Sequence, residues 1–183
     1  MRRALAALVL LAAAPASAAK WTVVPSASSI GFKATWLGKP VPGQFGKWTA
    51  AIDFDPAAPA RARIAVDVDL ASASTGDRTV DGALPGDDWF AIKAARTARF
   101  VAARVTAAGP NRFVAAGTLT IRGVAVPVTL PFALTLKGND ALMTGQVQLD
   151  RRAWKLGMGS DATAEYVDFA VPLTVRVAAK RAP

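Results

Sequence analysis

The residue types that usually do chemistry are nearly absent from this chain of 183 residues. It has no histidine and no cysteine, so Ser-His and Cys-His nucleophiles and metal sites built on imidazole or thiolate are excluded. The tight carboxylate pairs are Asp53 with Asp55 and Asp87 with Asp88. Neither has the spaced run of oxygens that a calcium loop needs. We therefore predict no catalytic residue, no metal and no cofactor, and interpret Asp87 and Asp88 as a helix N-terminal cap.

Five tryptophans are the more informative set, because their chemistry is that of binding. At strand ends or in irregular stretches they can pack in a core or surround the mouth of a cavity; they are Trp21, Trp36, Trp48, Trp89 and Trp154. Gly157 and Gly159 lack the strand-to-helix setting of a phosphate loop, so we interpret them as backbone flexibility. The pattern favours ligand binding over catalysis.

The stretch around which the chain is organised is residues 112–137, RFVAAGTLTIRGVAVPVTLPFALTLK. Apolar or small residues alternate with polar ones, at odd positions first and at even positions after Gly123. Alternation is typical of a strand with one face in a core, and a tight hairpin produces such a switch of parity. Pro127 and Pro131 cannot donate to a ladder, so an edge or bulge is predicted there.

Six further stretches show the same one-faced alternation, which predicts eight strands in total. Hairpin spacing without βαβ units predicts an all-β, antiparallel sheet. The pattern alone leaves a closed barrel and a two-sheet sandwich open. Residues 37–43 (LGKPVPG) are predicted as a turn. Residues 71–96 are predicted as a long functional connection between strands 3 and 4, with one or two short helical turns near 79–84 and 87–92.

The first eighteen residues have the pattern of a secretory signal peptide. Arg2 and Arg3 precede an apolar run, residues 4–14, which is too short to span a bilayer. A small-x-small motif at residues 16–18 then marks a cleavage site. We predict a signal peptide over residues 1–18 and a single exported β domain over residues 19–183.

Charge gives a weaker indication of partners. Without Arg2 and Arg3, 20 basic residues face 13 acidic ones, a net charge of +7. The basic residues are scattered, which is typical of a solvated surface, and a transient contact with an anionic membrane surface stays open. The chain has no aromatic-plus-basic strand motif, so nucleic acid is not an expected partner. A homodimer stays open as well.

Five segments resemble, in order and spacing, segments of the YceI-like, lipocalin-like proteins of bacterial envelopes. They are residues 29–32 (SIGF), 41–45 (VPGQF), 74–90 with Asp81, Leu84 and Trp89-Phe90, 117–124 (GTLTIRGV), and 150–159 with Asp150-Arg151 and two glycines. The hairpin GTLTIRGV is the most specific of them. The resemblance covers nearly the whole chain after residue 18.

This resemblance implies an eight-stranded antiparallel barrel with an apolar lumen that holds an isoprenoid lipid, either a polyisoprenoid or an isoprenoid quinone. It also implies a periplasmic location and links to isoprenoid transport or storage and to stress responses. The chain departs from the family pattern at Val80, Ala83 and Arg96, where arginine, histidine and proline are usual. The head group of the lipid is therefore left open.

The predicted ligand-binding residues are the inward apolar side chains of the strands together with residues that cover one end. The set is Ile30, Phe32, Trp36, Ile52, Phe54, Val66, Val68, Leu84, Trp89, Phe90, Phe100, Leu119, Ile121, Leu130, Phe132, Leu149, Trp154, Phe169 and Leu173.

The leading functional hypothesis is non-enzymatic binding, transport or storage of the lipid. The alternative is an envelope stress or interaction protein with a packed barrel and no lipid ligand. A third reading, an enzyme acting on a lipid at the barrel mouth, would use Asp81, Asp87 and Asp88.

Overall fold

The computed structural model describes residues 19–183, so the predicted signal peptide lies outside the described residues. The described part is dominated by antiparallel strands. They are β1 (Lys20–Val23), β2 (Ser29–Trp36), β3 (Lys39–Phe45), β4 (Trp48–Asp53), β5 (Arg63–Asp69), β6 (Ala73–Ser74), β7 (Thr97–Ala107), β8 (Arg112–Ile121), β9 (Val124–Lys137), β10 (Asp140–Asp150) and β11 (Ala170–Arg181).

Helical structure in the described residues is short. It consists of the helix α1 (Arg78–Ala83) and of 3-10 turns at Pro25–Ala27, Pro59–Arg61, Leu70–Ser72 and Arg151–Trp154. Within residues 19–183, no helix has the length and apolar character needed to cross a bilayer.

The sheet closes into an eight-stranded barrel because two barrel strands are each built from two pieces. β1 and β2 form the first, interrupted by the turn Pro25–Ala27, and β3 and β4 form the second. β5, β7, β8, β9, β10 and β11 follow in chain order, and β11 closes the ring by pairing with both β1 and β2. This closure confirms the predicted barrel and excludes the two-sheet sandwich.

The connection between the third and fourth barrel strands, β5 and β7, contains α1, which confirms the predicted helical insertion. Asp77 caps α1 by accepting hydrogen bonds from the N–H groups of Thr79 and Val80. The second predicted helical turn, at residues 87–92, is wrong, because that segment forms turns and no helix. Asp87 and Asp88 are therefore not a helix cap.

Residues 39–43 belong to β3 and not to the predicted turn. The turn is only Leu37–Gly38, with φ of 47° and 74°, and it makes Trp36 and Lys39 the hydrogen-bonded pair of the hairpin. The nitrogens of Pro40 and Pro42 then point away from β2. Along Lys39–Gly43 that side of β3 has no partner strand among the described residues, so the prolines do not interrupt a ladder.

The prolines of β9 mark a local edge, as predicted. Leu134 donates its N–H towards β8, to the carbonyl of Asn111, so odd-numbered residues of β9 face β10. The ladder between β9 and β10 runs from Lys137 to Phe132 and ends before Pro131. The turn Arg151–Trp154 packs against β9 instead.

Gly117 permits the close approach of β8 to the irregular part of β7. The register between these strands shifts between Ala102 and Arg104. A Cβ on Gly117 would overlap the carbonyl oxygen of Val101 and lie 2.9 Å from the Phe100 ring. Because the obstruction is backbone, it cannot rotate away.

We expect Gly117→Ala to lower the free energy of unfolding by about 1–3 kcal/mol, because β7 must move to accept the methyl group. Urea denaturation followed by circular dichroism measures this. Gly82→Ala is the control: it lies in α1 with open space around it, and should stabilise slightly. Equal stability of Gly117→Ala and the wild type would show that the strands can separate freely.

Candidate functional site: an apolar bore and its cap

A cavity runs through the middle of the barrel between two packed ends. Its volume is about 250 Å³, slightly below the roughly 300–1,000 Å³ typical of small-molecule sites. On β10 alone the lining extends from Ala141 to Leu149, which corresponds to roughly 20 Å along the barrel axis for a tilted strand. The cavity is thus long and narrow, and we call it the bore.

One end of the bore, the floor, is closed by aromatic side chains. Phe113 stacks on Phe132 with 5.4 Å between ring centroids, and Phe54 meets both rings edge-on at 5.1 and 6.0 Å. Trp21 lies beside them and donates its indole N–H to the carbonyl of Phe54 at 2.9 Å. Val105 completes the cluster and is 1% exposed.

The other end is covered by the two irregular segments, residues 71–96 and 151–169, which together we call the cap. The buried cap residues Phe90, Trp154 and Leu156 form its apolar underside and pack with Leu70, which directly precedes the first segment. Trp154 is fixed by a hydrogen bond from its indole nitrogen to the Leu119 carbonyl at 3.1 Å.

Arg122, in the hairpin between β8 and β9, joins the two segments of the cap. Its guanidinium donates to the carbonyls of Asp87 and Asp88 in the first segment and of Lys155 in the second, at 2.7–2.9 Å. The Asp88 carboxylate accepts from the N–H groups of Gly159 and Ser160. Burial by itself would raise the pKa of Asp88, but the Ser160 hydroxyl, these two N–H groups and the charge of Arg122 together lower it.

Gly157 and Gly159 are needed because neighbouring side chains pack directly against their backbone. Our interpretation of them as backbone flexibility is wrong. A Cβ on Gly157 would lie 2.8 Å from the Trp89 ring, and one on Gly159 would lie 2.9 Å from the Asp88 carboxylate. Gly157 also has φ of 68°, where a side chain is strained.

A buried ion pair holds the second segment of the cap together. Arg151 donates to the Asp161 carboxylate at 2.8 Å, and the two side chains are 1% and 3% exposed. The other Arg151 donors reach the carbonyls of Leu156, Val167 and Asp168 and the sulfur of Met158. All three guanidinium nitrogens are thus engaged by the protein itself.

Aromatic rings complete the surroundings of Arg151. Its guanidinium carbon lies 5.6 Å from the centroid of Trp89 and 5.1 Å from that of Phe169, a cation–π arrangement. The Asp161 carboxylate also accepts the N–H groups of Tyr166 and Val167 at 3.1 and 2.8 Å. Burial tends to raise the pKa of Asp161, but these donors and the charge of Arg151 lower it overall.

Seventeen of the nineteen predicted ligand-binding residues line the bore. Strand alternation brings most of them there, since one face of each strand points inwards. Leu84, Trp89, Phe90 and Trp154 reach the bore from the cap. Whether they touch a ligand stays a prediction.

Trp36 and Phe169 are exceptions and do not line the bore. Trp36 ends β2 beside the turn, where the hairpin projects past the barrel wall, and it is 43% exposed. Phe169 precedes β11 and packs against the guanidinium groups of Arg151 and Arg152. In both cases the apolar–polar alternation of the sequence continues past the residue at which the strand leaves the barrel wall.

The bore also has lining residues that our prediction omitted. Most belong to the inward set of a predicted strand, including Ala34, Ala50, Val147 and Val175. Arg151 differs from all of them in chemistry, as a buried charge at the end of the bore. Sequence pattern gave it no signal beyond its place in an Asp-Arg motif, because an isolated arginine is normally a surface residue.

The positions that depart from the family pattern lie away from the bore. Ala83 is exposed on α1, Val80 does not line the cavity, and Arg96 pairs with Asp69 at 2.9 Å on the surface. Asp81 accepts hydrogen bonds from Ser74 and Thr75 that hold the start of the cap. Within residues 19–183, no cluster of His, Cys, Asp and Glu could hold a metal ion.

The sequence matches the family model described as the YceI-like domain over residues 21–179. A UPF0312 protein of Photorhabdus laumondii is 31% identical over 138 residues, covering 74% of this chain and 71% of that protein. A UPF0312 protein of Pseudomonas fluorescens is 31% identical over 98 residues, covering 54% of this chain and about half, 51%, of its own length.

Several solved structures have a similar fold. BcnA of Burkholderia cenocepacia aligns with a TM-score of 0.83 at 29% identity, covering 86% of this chain and 99% of BcnA. A polyisoprenoid binding domain of Saccharophagus degradans, implicated in plant cell wall breakdown, aligns with a TM-score of 0.70 at 14% identity, covering 91% and 99%. At that identity the second likeness concerns the fold alone.

We expect Asp161→Asn to lower the free energy of unfolding by about 3–5 kcal/mol, because it leaves the Arg151 cation buried without its counter-ion. Urea denaturation measures the change. Asp140→Asn is the matched control, since its partner Lys180 and Asp140 itself are both well exposed, and it should cost less than about 1 kcal/mol. Similar losses in the two variants would contradict a special role for the buried pair.

The lowered pKa of Asp161 predicts acid sensitivity of the cap. A carboxyl whose pKa is lower in the folded state stabilises the fold fully above its unfolded pKa, about 3.9, and this stabilisation is lost as the pH falls through the folded pKa. The melting temperature of the wild type should therefore fall more steeply below about pH 4 than that of Asp161→Asn. Parallel curves for the two proteins would assign the acid sensitivity to other carboxyls.

Proposed function

Because the chain belongs to the YceI-like family, we propose that it binds an isoprenoid lipid, a polyisoprenoid or an isoprenoid quinone, with the tail in the bore, and transports or stores it without catalysis. The observation that carries the proposal is the bore itself. It is lined by apolar side chains along its length and stays unfilled between its packed ends. A slender hydrocarbon chain matches such a long and narrow space better than a bulky ring system does.

Burial of a tail supplies enough free energy for useful affinity. Each methylene removed from water contributes about 0.8 kcal/mol, so ten contribute roughly 8 kcal/mol before ordering costs, which corresponds to about micromolar binding. The lining offers no free charged group to a ligand, because Arg151 is engaged on all three nitrogens. The affinity would therefore come from the tail.

The saturation of Arg151 also favours a particular orientation of the lipid. An anionic group at the cap end of the bore would need to displace the Asp161 carboxylate or a backbone carbonyl. Replacing a satisfied partner within a buried pair is costly. We therefore propose that only the apolar tail enters and that a polar head group stays outside the bore.

Export to the periplasm is part of the same proposal and rests on the pattern of residues 1–18. A carrier of a water-insoluble lipid fits an aqueous compartment between membranes. A quinone and a polyisoprenoid alcohol share the isoprenoid tail that the bore would recognise, so the two differ in their head groups alone.

A packed-barrel interaction protein is the second candidate, and the modest volume of the bore favours it. At about 250 Å³ the space is small for a long lipid unless side chains move. This candidate predicts that filling the bore has no effect on function, whereas the lipid-binding proposal predicts that filling abolishes it.

Ala50→Phe should abolish lipid uptake without unfolding the barrel. Ala50 lies on β4 opposite Val66 and lines the bore, so a phenyl ring there occupies the space of a tail. Excluding even two methylenes weakens binding about tenfold. Binding of geranylgeraniol would be followed by tryptophan fluorescence and by mass spectrometry of organic extracts.

Ala51→Phe is the matched control, because Ala51 is the next residue on β4 and faces solvent. It should bind geranylgeraniol as the wild type does, and both variants should melt near the wild-type temperature. Equal uptake by the Ala50→Phe variant, or no uptake by the wild type, would reject tail binding in the bore and leave the packed-barrel candidate.

A further inference from the structure

The tip of the β2–β3 hairpin carries an exposed apolar patch beside the cap. It consists of Trp36, Leu37 and Tyr166, which are 43%, 61% and 42% exposed. The rings of Trp36 and Tyr166 lie 6.1 Å apart. We call these three residues the tip patch.

The backbone holds the tip patch outwards. Leu37 has φ of 47°, a conformation that a bulky side chain rarely adopts. Its N–H donates to the Tyr166 carbonyl at 2.8 Å, and Trp36 forms a bridge to Val167. Because Asp161 fixes the N–H groups of Tyr166 and Val167, the buried ion pair also anchors the patch.

The tip patch lies directly outside the bore. Ala34, two residues before Trp36, and Val167, next to Tyr166, both line the bore. A lipid that enters or leaves at this end would therefore pass close to the patch.

The composition of the patch matches the interface of a lipid bilayer. Tryptophan and tyrosine concentrate at that interface, because each has an apolar body and a polar group. Lys39 lies opposite Trp36 on the hairpin and Lys33 is four residues from the turn; both are exposed, as is typical of interfacial anchors. Glu165 and Asp168 on the neighbouring segment offset these charges, so net charge contributes little.

A protein partner fits the patch less well. Three half-exposed side chains offer roughly 300 Å², well below the about 800 Å² per partner of a stable interface. The free edge of β3 carries Pro40 and Pro42, which lack the N–H groups that an added strand would bind.

From these observations we propose that the tip patch inserts into the interface of a phospholipid bilayer and places the cap end of the bore against the membrane. This deepens the proposed function, because it names the surface at which the lipid would be exchanged. The balanced local charge predicts binding to zwitterionic as well as anionic bilayers.

The test is flotation of the purified protein with vesicles of phosphatidylcholine, with and without phosphatidylglycerol, at low and high salt. The double variant Leu37→Asn/Tyr166→Gln removes the apolar groups and leaves Trp36 as a fluorescent reporter; asparagine tolerates the positive φ. We expect the wild type to bind both vesicle types and the double variant to bind at least about tenfold more weakly. Val101→Thr, which removes an exposed apolar side chain on β7, should bind as the wild type does.

Several outcomes would overturn the proposal. These are no vesicle binding by the wild type, binding that the double variant retains, and binding to anionic vesicles that high salt abolishes. A patch-dependent dimer detected by analytical ultracentrifugation would assign the patch to a second copy of the chain.

Uptake of geranylgeraniol from solution separates this proposal from the function of the bore. The double variant should take up geranylgeraniol as the wild type does, because neither changed side chain lines the bore. Vesicle binding without geranylgeraniol uptake would reject the proposed function and leave the tip patch as a membrane contact. Geranylgeraniol uptake without vesicle binding would reject the membrane contact and leave the proposed function of the bore.

Discussion

The cap depends on one buried ion pair between Arg151 and Asp161. Charges buried at 1% and 3% exposure are costly unless every donor and acceptor has a partner. Here the guanidinium satisfies carbonyls that an irregular segment would otherwise leave buried and unpaired, and the carboxylate satisfies the N–H groups of Tyr166 and Val167. A segment without regular structure thereby acquires a fixed shape.

The empty middle of the barrel follows from a different constraint, the closed ladder. Hydrogen bonds around the ring set the radius of an eight-stranded barrel, so the strands cannot collapse onto small side chains. Aromatic rings fill the floor, where Phe54, Phe113 and Phe132 meet. In the middle, small inward residues such as Ala34 and Ala50 leave space that the fixed radius preserves.

Much of this architecture could be predicted from the sequence, because apolar–polar alternation shows which face of each strand points into the core. Eight such strands with hairpin spacing predict the barrel wall and its inner face, and therefore most of the residues that line the bore. The prolines of β9 correctly predicted a local edge, whereas those of β3 led us to predict a turn that is in fact a strand. Proline only lacks the N–H that a neighbouring strand would bind, and the nitrogens of Pro40 and Pro42 point to the side of β3 that has no neighbouring strand.

What the sequence could not show depends on contacts between distant segments. Arg151 and Asp161 look like surface charges until the strands bring Val167 beside them. Gly157 and Gly159 look flexible until Trp89 and Asp88, some seventy residues away, occupy the space that a side chain would need. Trp36 continues the apolar alternation of β2, but it lies beyond the end of the barrel wall and is therefore exposed.

The two ends of the bore differ in how easily they could open. The floor is a buried aromatic cluster on paired strands, and opening it would expose several rings to water. Moving the cap would break the hydrogen bonds that tie it to the barrel, those of Arg122 to both cap segments and that of Trp154 to the Leu119 carbonyl. The hairpin of β2 and β3 is held more weakly: beyond Phe32, β2 meets the rest of the wall only through the bridge of Trp36 to Val167 and the backbone bonds of Leu37 and Asp168, within the part of the chain that is described. An opening beside the tip patch would therefore break the fewest contacts: Phe32 and Phe45 line the bore there, and from Lys39 to Gly43 the outer edge of β3 carries no ladder.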